Sequence, residues 1–341
     1  MGRHSTGVVA AVDTLDLDYI GAKIGEDHGG RRPGHNGAEV QNAYACQWRG
    51  QRVEDTTAEP AWVRATERRY DRLIVLRVPS YIGWPVVVAC AYGALYFFAN
   101  RAVYYPSKYP RGSWDLQSQV GASDVWLNTP DGVRLHCWWV KREGARLVTL
   151  FLHGNAGNVT DRIPHIGEIV AAGSSVLILD YRGFGKSGGR PTERGLYIDS
   201  ETAFAYLLGQ GYRAKQIILQ GESLGTAVAV DLAGRRPCAG LILEAPFTSA
   251  SDVAGTVLPV LGPLLVQSFN SVPKVRWILK PKLFMQGDRD EIIPLRFGQS
   301  LYAAAQAPKS FWVIEGAGHN DIVEKPQVRN IGSVWRLSTA A

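Results

Sequence analysis

The chain has 341 residues, 46% of them hydrophobic and 20% charged, which is enough for one domain with a large core plus additional segments. Its formal net charge is +6, but the excess is scattered Arg, much of it beside Asp or Glu. No basic helix face or aromatic-interleaved patch is present, so nucleic acid is excluded as a partner. Cys46, Cys90, Cys137 and Cys238 lie too far apart for a zinc or redox motif, and with Cys90 in an apolar run and Cys137 in a predicted strand they read as buried thiols.

Residues 1–75 carry many Gly, Asp, Arg and Asn without sustained periodicity and bury too little apolar surface to offset their ordering entropy. They are expected to be a disordered polar segment. No charged residue then occurs from Val78 to Asn100, with Tyr81 and Trp84 at one end and Tyr96, Phe97 and Phe98 at the other. About 20 apolar residues cross a bilayer as a helix, and aromatic side chains favour its boundaries, so residues 78–101 are expected to span a membrane as an uncleaved anchor. Arg64, Arg68, Arg69, Arg72 and Arg77 precede the span, against Arg101, Lys108 and Arg111 after it. This asymmetry predicts a cytoplasmic amino terminus and a catalytic domain on the non-cytoplasmic side, an orientation read by protease accessibility in intact cells.

The pattern becomes regular beyond Tyr104-Tyr105-Pro106 and a polar linker, and residues 104–341 read as the catalytic domain. Val125–Asn128 and Arg134–Val140, joined through Pro130-Asp131-Gly132, predict a hairpin. Short apolar strands follow at Leu147–Leu152, Ser175–Leu179, Gln216–Leu219, Gly240–Leu243, Lys282–Met285 and Ser310–Ile314. Helical patterns fill the intervals at Val159–Ala171, Tyr197–Leu208, Thr226–Ala233 and Leu295–Ala305. Such alternation predicts an α/β fold with a mostly parallel sheet covered by helices on both faces. Between Phe247 and Lys282, an apolar stretch broken by Pro259 and Pro263 is expected to form a small cap over residues 248–280.

Gly221-Glu222-Ser223-Leu224-Gly225 stands between a β-branched run and an Ala-rich helical stretch. A G-x-S-x-G turn from strand to helix strains the serine backbone and lifts the hydroxyl above the sheet, which makes Ser223 the candidate nucleophile. A serine hydroxyl needs a base to remove its proton. Of seven histidines only His319 follows Ser223, in a Gly-rich loop after the last strand, where open parallel sheets place their chemistry. The acid that orients the imidazole is expected in Asp288-Arg289-Asp290-Glu291. Asp290 is preferred, with Asp288 and Glu291 as lesser candidates or turn-capping residues.

The oxyanion donors are expected to be the backbone N–H groups of Leu224 and Asn155, with His153 shaping the Asn155 loop by hydrogen bonding. These groups suffice for acyl transfer, so no cofactor or metal is implied. Gly183-Phe184-Gly185-Lys186-Ser187-Gly188 matches a dinucleotide fingerprint, but Gly189 and Pro191 stand where a helix would have to begin. The segment is expected instead to be a mobile loop beside the active-site mouth.

Together, Phe151–Asn158, Asp180–Ser187, Gly221–Gly225, Glu244–Ser249 and Gly318-His319 resemble the α/β-hydrolase-domain serine hydrolases. More narrowly, they are similar to the membrane-anchored branch of bud-emergence-suppressor-type and depalmitoylase-type hydrolases. The resemblance implies a Ser223–Asp290–His319 triad and an anchor without fixing the substrate; the activity expected from the assembled groups is hydrolysis of carboxylic esters or thioesters through an acyl-enzyme. The substrate expected is a small or lipid-derived acyl compound at a membrane. A peptidase of the same fold and a non-catalytic lipid- or partner-binding scaffold are the competing readings, and the long polar segment before the anchor departs from the family pattern.

Overall fold

The computed structural model describes residues 80–330; the polar segment expected over residues 1–75 lies outside them. Helix α1 (Ser80–Arg101) comes first. From Trp84 to Phe98 its side chains face outward, with Trp84 71% and Phe98 66% exposed and Cys90, expected as a buried thiol, exposed among them, so this stretch is no core helix of a soluble domain. Gly83–Arg101 is long and apolar enough to cross a membrane. Pro85 is the sixth helical residue rather than a first-turn one, and leaves the Tyr81 carbonyl without its i+4 donor.

Eight strands form the main sheet: β1 (Ser123–Asn128), β2 (Arg134–Val140), β3 (Leu147–Leu152), β4 (Ser174–Asp180), β5 (Ile217–Glu222), β6 (Gly240–Glu244), β7 (Lys282–Gly287) and β8 (Lys309–Ile314). Their spatial order is β8-β7-β6-β5-β3-β4-β2-β1. The hairpin β1–β2 and the β2–β4 pair are antiparallel, and all other neighbours are parallel. Helices α2 (Ile163–Ala171), α3 (Glu193–Gly209), α4 (Leu224–Arg235) and α8 (Leu295–Ala304) make most of the connections. Between β6 and β7 the chain forms three short helices, α5 (Ala250–Val257), α6 (Leu261–Leu265) and α7 (Val272–Val275).

Successive residues of a strand point to opposite faces, so both faces of the central strands must be apolar if both are covered. Leu219, Leu241, Leu243 and Phe284 accordingly join one buried cluster, and Ile218, Ile242, Leu283 and Met285 another. Burying each such side chain contributes roughly 1.5–3 kcal/mol, so the central strands are the most firmly held part of the fold. Strand order reverses where β3 lies between β4 and β5, and the loops leaving the carboxyl ends of these strands splay apart there. That crevice is where open α/β sheets accommodate ligands.

Two segments differ from expectation. Tyr105–Pro106 pairs in parallel with Ala156–Gly157, and the polar linker expected beyond Pro106 is held rather than free, with Ser107 N–H donating to Gly157 O (3.0 Å) and Tyr109 N–H to Gly185 O (3.0 Å). The 183–188 loop is tied down rather than loose. Gly183 N–H donates to Gly188 O, Gly185 N–H to Ser107 O, and Ser187 Oγ to Asp180 O, while Phe184 is fully buried. Its glycines serve these close approaches, so a nucleotide has no open cradle there.

Candidate active site

Ser223 sits between β5 and α4 with φ 51° and ψ −118°, a conformation that a residue with a side chain rarely adopts. Its N–H donates to Glu244 O at 2.8 Å, which pins the turn to the neighbouring strand. The two flanking glycines are required by contact: a Cβ on Gly225 would collide with the Leu152 carbonyl, and one on Gly221 with the Gly225 carbonyl. The serine is thereby lifted above the sheet's carboxyl edge.

His319 arrives on the loop after β8. Arg289 N–H donates to Ala317 O (2.9 Å) and Gly316 N–H to Asp288 Oδ1 (2.7 Å), fixing this loop to the one after β7, while Gly318 N–H donates to Asp321 Oδ1 (2.7 Å) within the loop itself. The imidazole places Nε2 3.0 Å from Ser223 Oγ and Nδ1 2.8 Å from Asp290 Oδ2. Asp290 also accepts from Ile292 N–H (3.0 Å) and Ile293 N–H (2.7 Å) through Oδ1, and from Gln286 Nε2 (2.9 Å) through Oδ2. Every partner of this carboxylate is a donor, so Asp290 is an anion-type acceptor and His319 Nδ1 must carry the proton. Nε2 is then the bare nitrogen that faces the serine. Asp288 is occupied in capping Gly316, and Glu291 is exposed.

Asn155, Ser223 and Leu224 line one cavity of about 440 Å³. Leu224 opens α4, so its N–H belongs to the first turn, whose amides have no partner within the helix. Asn155 is held from both sides, its carbonyl accepting from Tyr105 N–H (2.8 Å) and its side-chain amide donating to Val103 O (3.0 Å). His153 is buried and bonds the Gly154 carbonyl at 2.8 Å through Nδ1. Burial, reinforced by the Arg162 charge, depresses its pKa to about 4, so the ring is neutral near pH 7 and braces the loop. The rest of the cavity is apolar, including Phe247, Val253, Val257, Leu265 and Ile293. A second cavity, of about 540 Å³, lies at Arg142, His165, Gln220 and Glu244 and contains none of these groups.

Two supports were not legible in the sequence. Gln286, buried within β7, bridges Asp290 and the Ile293 carbonyl (2.8 Å), yet reads as an ordinary strand residue. Arg162 joins Glu222 (Nε–Oε2 2.5 Å) to the Ala156 carbonyl (3.1 Å), linking the nucleophile turn to the Asn155 loop. Burial raises the Glu222 carboxyl, but the Arg162 and His165 charges and the Arg162 hydrogen bond outweigh it and hold the group at about 2. Folding thus lowers this pKa, so its stabilisation is present above the ordinary value of 4.5 and is lost as pH falls through about 2. Arg162→Met, which strands the buried carboxylate, should cost about 3 kcal/mol near neutral pH in denaturant titrations of the detergent-solubilised chain. Glu222→Gln should flatten the acid limb of stability. An Arg162→Met chain as stable as its parent would remove this pair from the site's support.

The family described as Hydrolase_4, serine aminopeptidase S33, matches residues 143–277. A protein of Mycobacterium tuberculosis is 37% identical over 244 residues, covering 69% of this chain and 86% of its own. Protein bem46 of Schizosaccharomyces pombe is 34% identical over 271 residues, covering 72% and 89%. Human α/β-hydrolase domain-containing protein 17B is 35% identical over 217 residues, covering 62% and 75%. Among solved structures, an esterase of Pyrococcus furiosus aligns with a TM-score of 0.58 at 22% identity, covering 69% of this chain and 99% of that one, a likeness of fold. With its strand order, its G-x-S-x-G turn and these relatives, the chain belongs to the α/β-hydrolase family, in the branch of bem46 and the domain-containing protein 17 group.

Proposed function

We propose that the protein is a serine hydrolase that cleaves carboxylic esters or thioesters through an acyl-enzyme. The observation that carries this reading is the run Ser223 Oγ–His319 Nε2 (3.0 Å) and His319 Nδ1–Asp290 Oδ2 (2.8 Å) at the wall of an apolar cavity. His319 takes the Ser223 proton as Oγ bonds to the acyl carbon, and Asp290 steadies the imidazolium. The oxyanion is received by the N–H groups of Leu224 and Asn155, each worth roughly 3 kcal/mol of transition-state stabilisation. His319 then protonates the leaving alcohol or thiol as its bond to carbon breaks. Water, deprotonated by the same imidazole, attacks the acyl-enzyme, and the proton returns to Ser223 as the acid departs. An aspartate at the turn would instead suit epoxide or haloalkane chemistry.

Peptidase action is the second reading, favoured by the description of the matched family. Against it, none of the described residues lining the cavity is charged, so an amino-terminal ammonium would find no carboxylate partner there. A cavity of about 440 Å³ suits an acyl chain. The Arg excess before α1 supports a single-pass topology with the catalytic domain on the non-cytoplasmic side. The substrate class is tested by a series of acyl esters of increasing chain length. Medium and long chains should give the higher kcat/KM, and Ala254→Phe, which fills the cavity, should remove that advantage while short esters are still turned over. A strict preference for acetate esters would contradict the acyl-chain assignment.

A further inference from the structure

The loop between α5 and α6 is built for a medium other than water. Val257 is 76% and Val260 74% exposed, and Leu258, Leu261 and Leu264 are exposed beside them. No charged residue occurs between Asp252 and Lys274. An exposed apolar cluster of this kind marks an interaction surface. Its position identifies the partner. Tyr92 Oη donates to Leu264 O at 2.9 Å and Asn100 Nδ2 to Leu265 O at 2.8 Å, so α6 lies along the carboxyl-terminal half of α1.

Tyr92 is nine residues before Arg101, about 14 Å along the helix, and the part from Ser80 to Tyr92 rises only about 18 Å. A hydrocarbon core of about 30 Å cannot be crossed by that first part alone. If α1 spans the bilayer, the turns that carry α6 are inside it, and the α5–α6 tip is immersed with them.

Backbone satisfaction supports the same conclusion. The last carbonyls of a helix lack partners within it, and in hydrocarbon each must find one. All four here do. Gly262 O accepts from Val266 N–H, Pro263 O from Ser251 Oγ (3.4 Å) and Gln267 Nε2 (3.3 Å), Leu264 O from Tyr92 and Leu265 O from Asn100. The Thr256 hydroxyl is likewise turned inward, donating to Val253 O at 2.7 Å. The catalytic cavity runs from Ser223 to this seam, where Ala99 of α1 and Ala102 just beyond it line the cavity together with Val257 and Leu258.

We propose that the Val257–Leu261 tip is embedded in the leaflet alongside α1, and that the cavity takes the acyl chain of a membrane-resident ester or thioester laterally from the lipid. The route rests on the hydrolase reading; the immersion does not. Two measurements on the full chain in phosphatidylcholine vesicles test them separately. An environment-sensitive NBD label at Val260→Cys, in a Cys46→Ser/Cys90→Ala background that leaves only buried Cys137 and Cys238, should emit as in hydrocarbon and be quenched by brominated lipid. Emission as in water, with quenching by iodide, overturns the proposal.

Val260→Asp/Leu261→Asp, at positions that do not line the cavity, should lower turnover of a long-chain ester dispersed in the vesicles about tenfold or more. Turnover of a water-soluble butyrate ester should stay within about twofold of the parent, which also certifies the fold. Equal effects on the two esters, or none on the vesicle-borne one, overturn lateral access. If the parent chain turns over neither ester, the hydrolase reading fails while the label still decides the immersion.

Discussion

Ser223→Ala is expected to lower kcat on a soluble acyl ester by roughly a millionfold and to leave substrate affinity and the folded state unchanged. The size follows from the proposed path. Oγ is the atom that forms the acyl bond, and His319 Nε2, 3.0 Å away, is placed to take its proton in the acylation step. The residue tolerates alanine at its left-handed backbone as it tolerates serine, since both carry a Cβ, and the constraints that set φ at 51° lie in Gly221, Gly225 and the Ser223 N–H bond to Glu244. Steady-state kinetics with a thermal melt check it. Ester turnover within tenfold of the parent would mean that the reaction does not pass through Ser223.

Asp290→Asn should cost about ten thousandfold in kcat with little change in KM. The reason is directional. Ile292 and Ile293 present two N–H groups to one carboxylate oxygen and so demand an acceptor there, which would be the Asn carbonyl. The Asn NH2 then faces His319 Nδ1 and the Gln286 amide donor. Turning Gln286 over would strip the Ile293 carbonyl of its bond. His319 is therefore driven to the tautomer with its proton on Nε2, which points a donor at Ser223 and cannot accept from it. Gln286→Leu should show the same direction with a smaller effect, since the Oδ1 bonds remain. Wild-type rates in Asp290→Asn would transfer the orienting role elsewhere.

Much of this site was legible because its signals are local. The run from β5 through Gly221–Gly225 into α4 announces a strained strand-to-helix turn within a dozen residues. His319 was the only histidine after it, and Asp290 stood among three carboxylates of which one had to cap the loop, a role that falls to Asp288. What the sequence concealed depends on contacts between distant segments. Val103 and Tyr105 brace Asn155 from about fifty residues away, so nothing local marked them as part of the site. Arg162 reaches Glu222 across sixty positions, and neither residue has a local pattern that distinguishes it from a surface charge. The apparent flexibility of Gly183–Gly188 came from composition. In three dimensions the glycines allow close backbone contacts with Ser107, and Phe184 anchors the loop in the core. The α5–α6 tip could be read as apolar, but its placement beside α1 rests on two side chain-to-carbonyl bonds that no periodicity encodes.

Joined to Asn155 through Val103 and Tyr105, α1 leads directly into the wall of the cavity lined by Ser223. On the proposed function, helix and chemistry would form one structural unit, with the cavity at their junction.

The measurement that reads the catalytic arrangement most directly is the mass of the intact, detergent-solubilised chain after exposure to a fluorophosphonate, followed by peptide mapping. One phosphonyl group on Ser223, absent from Ser223→Ala and strongly slowed in His319→Gln, is the expected result. An unmodified chain, or an adduct on any other residue, would contradict it.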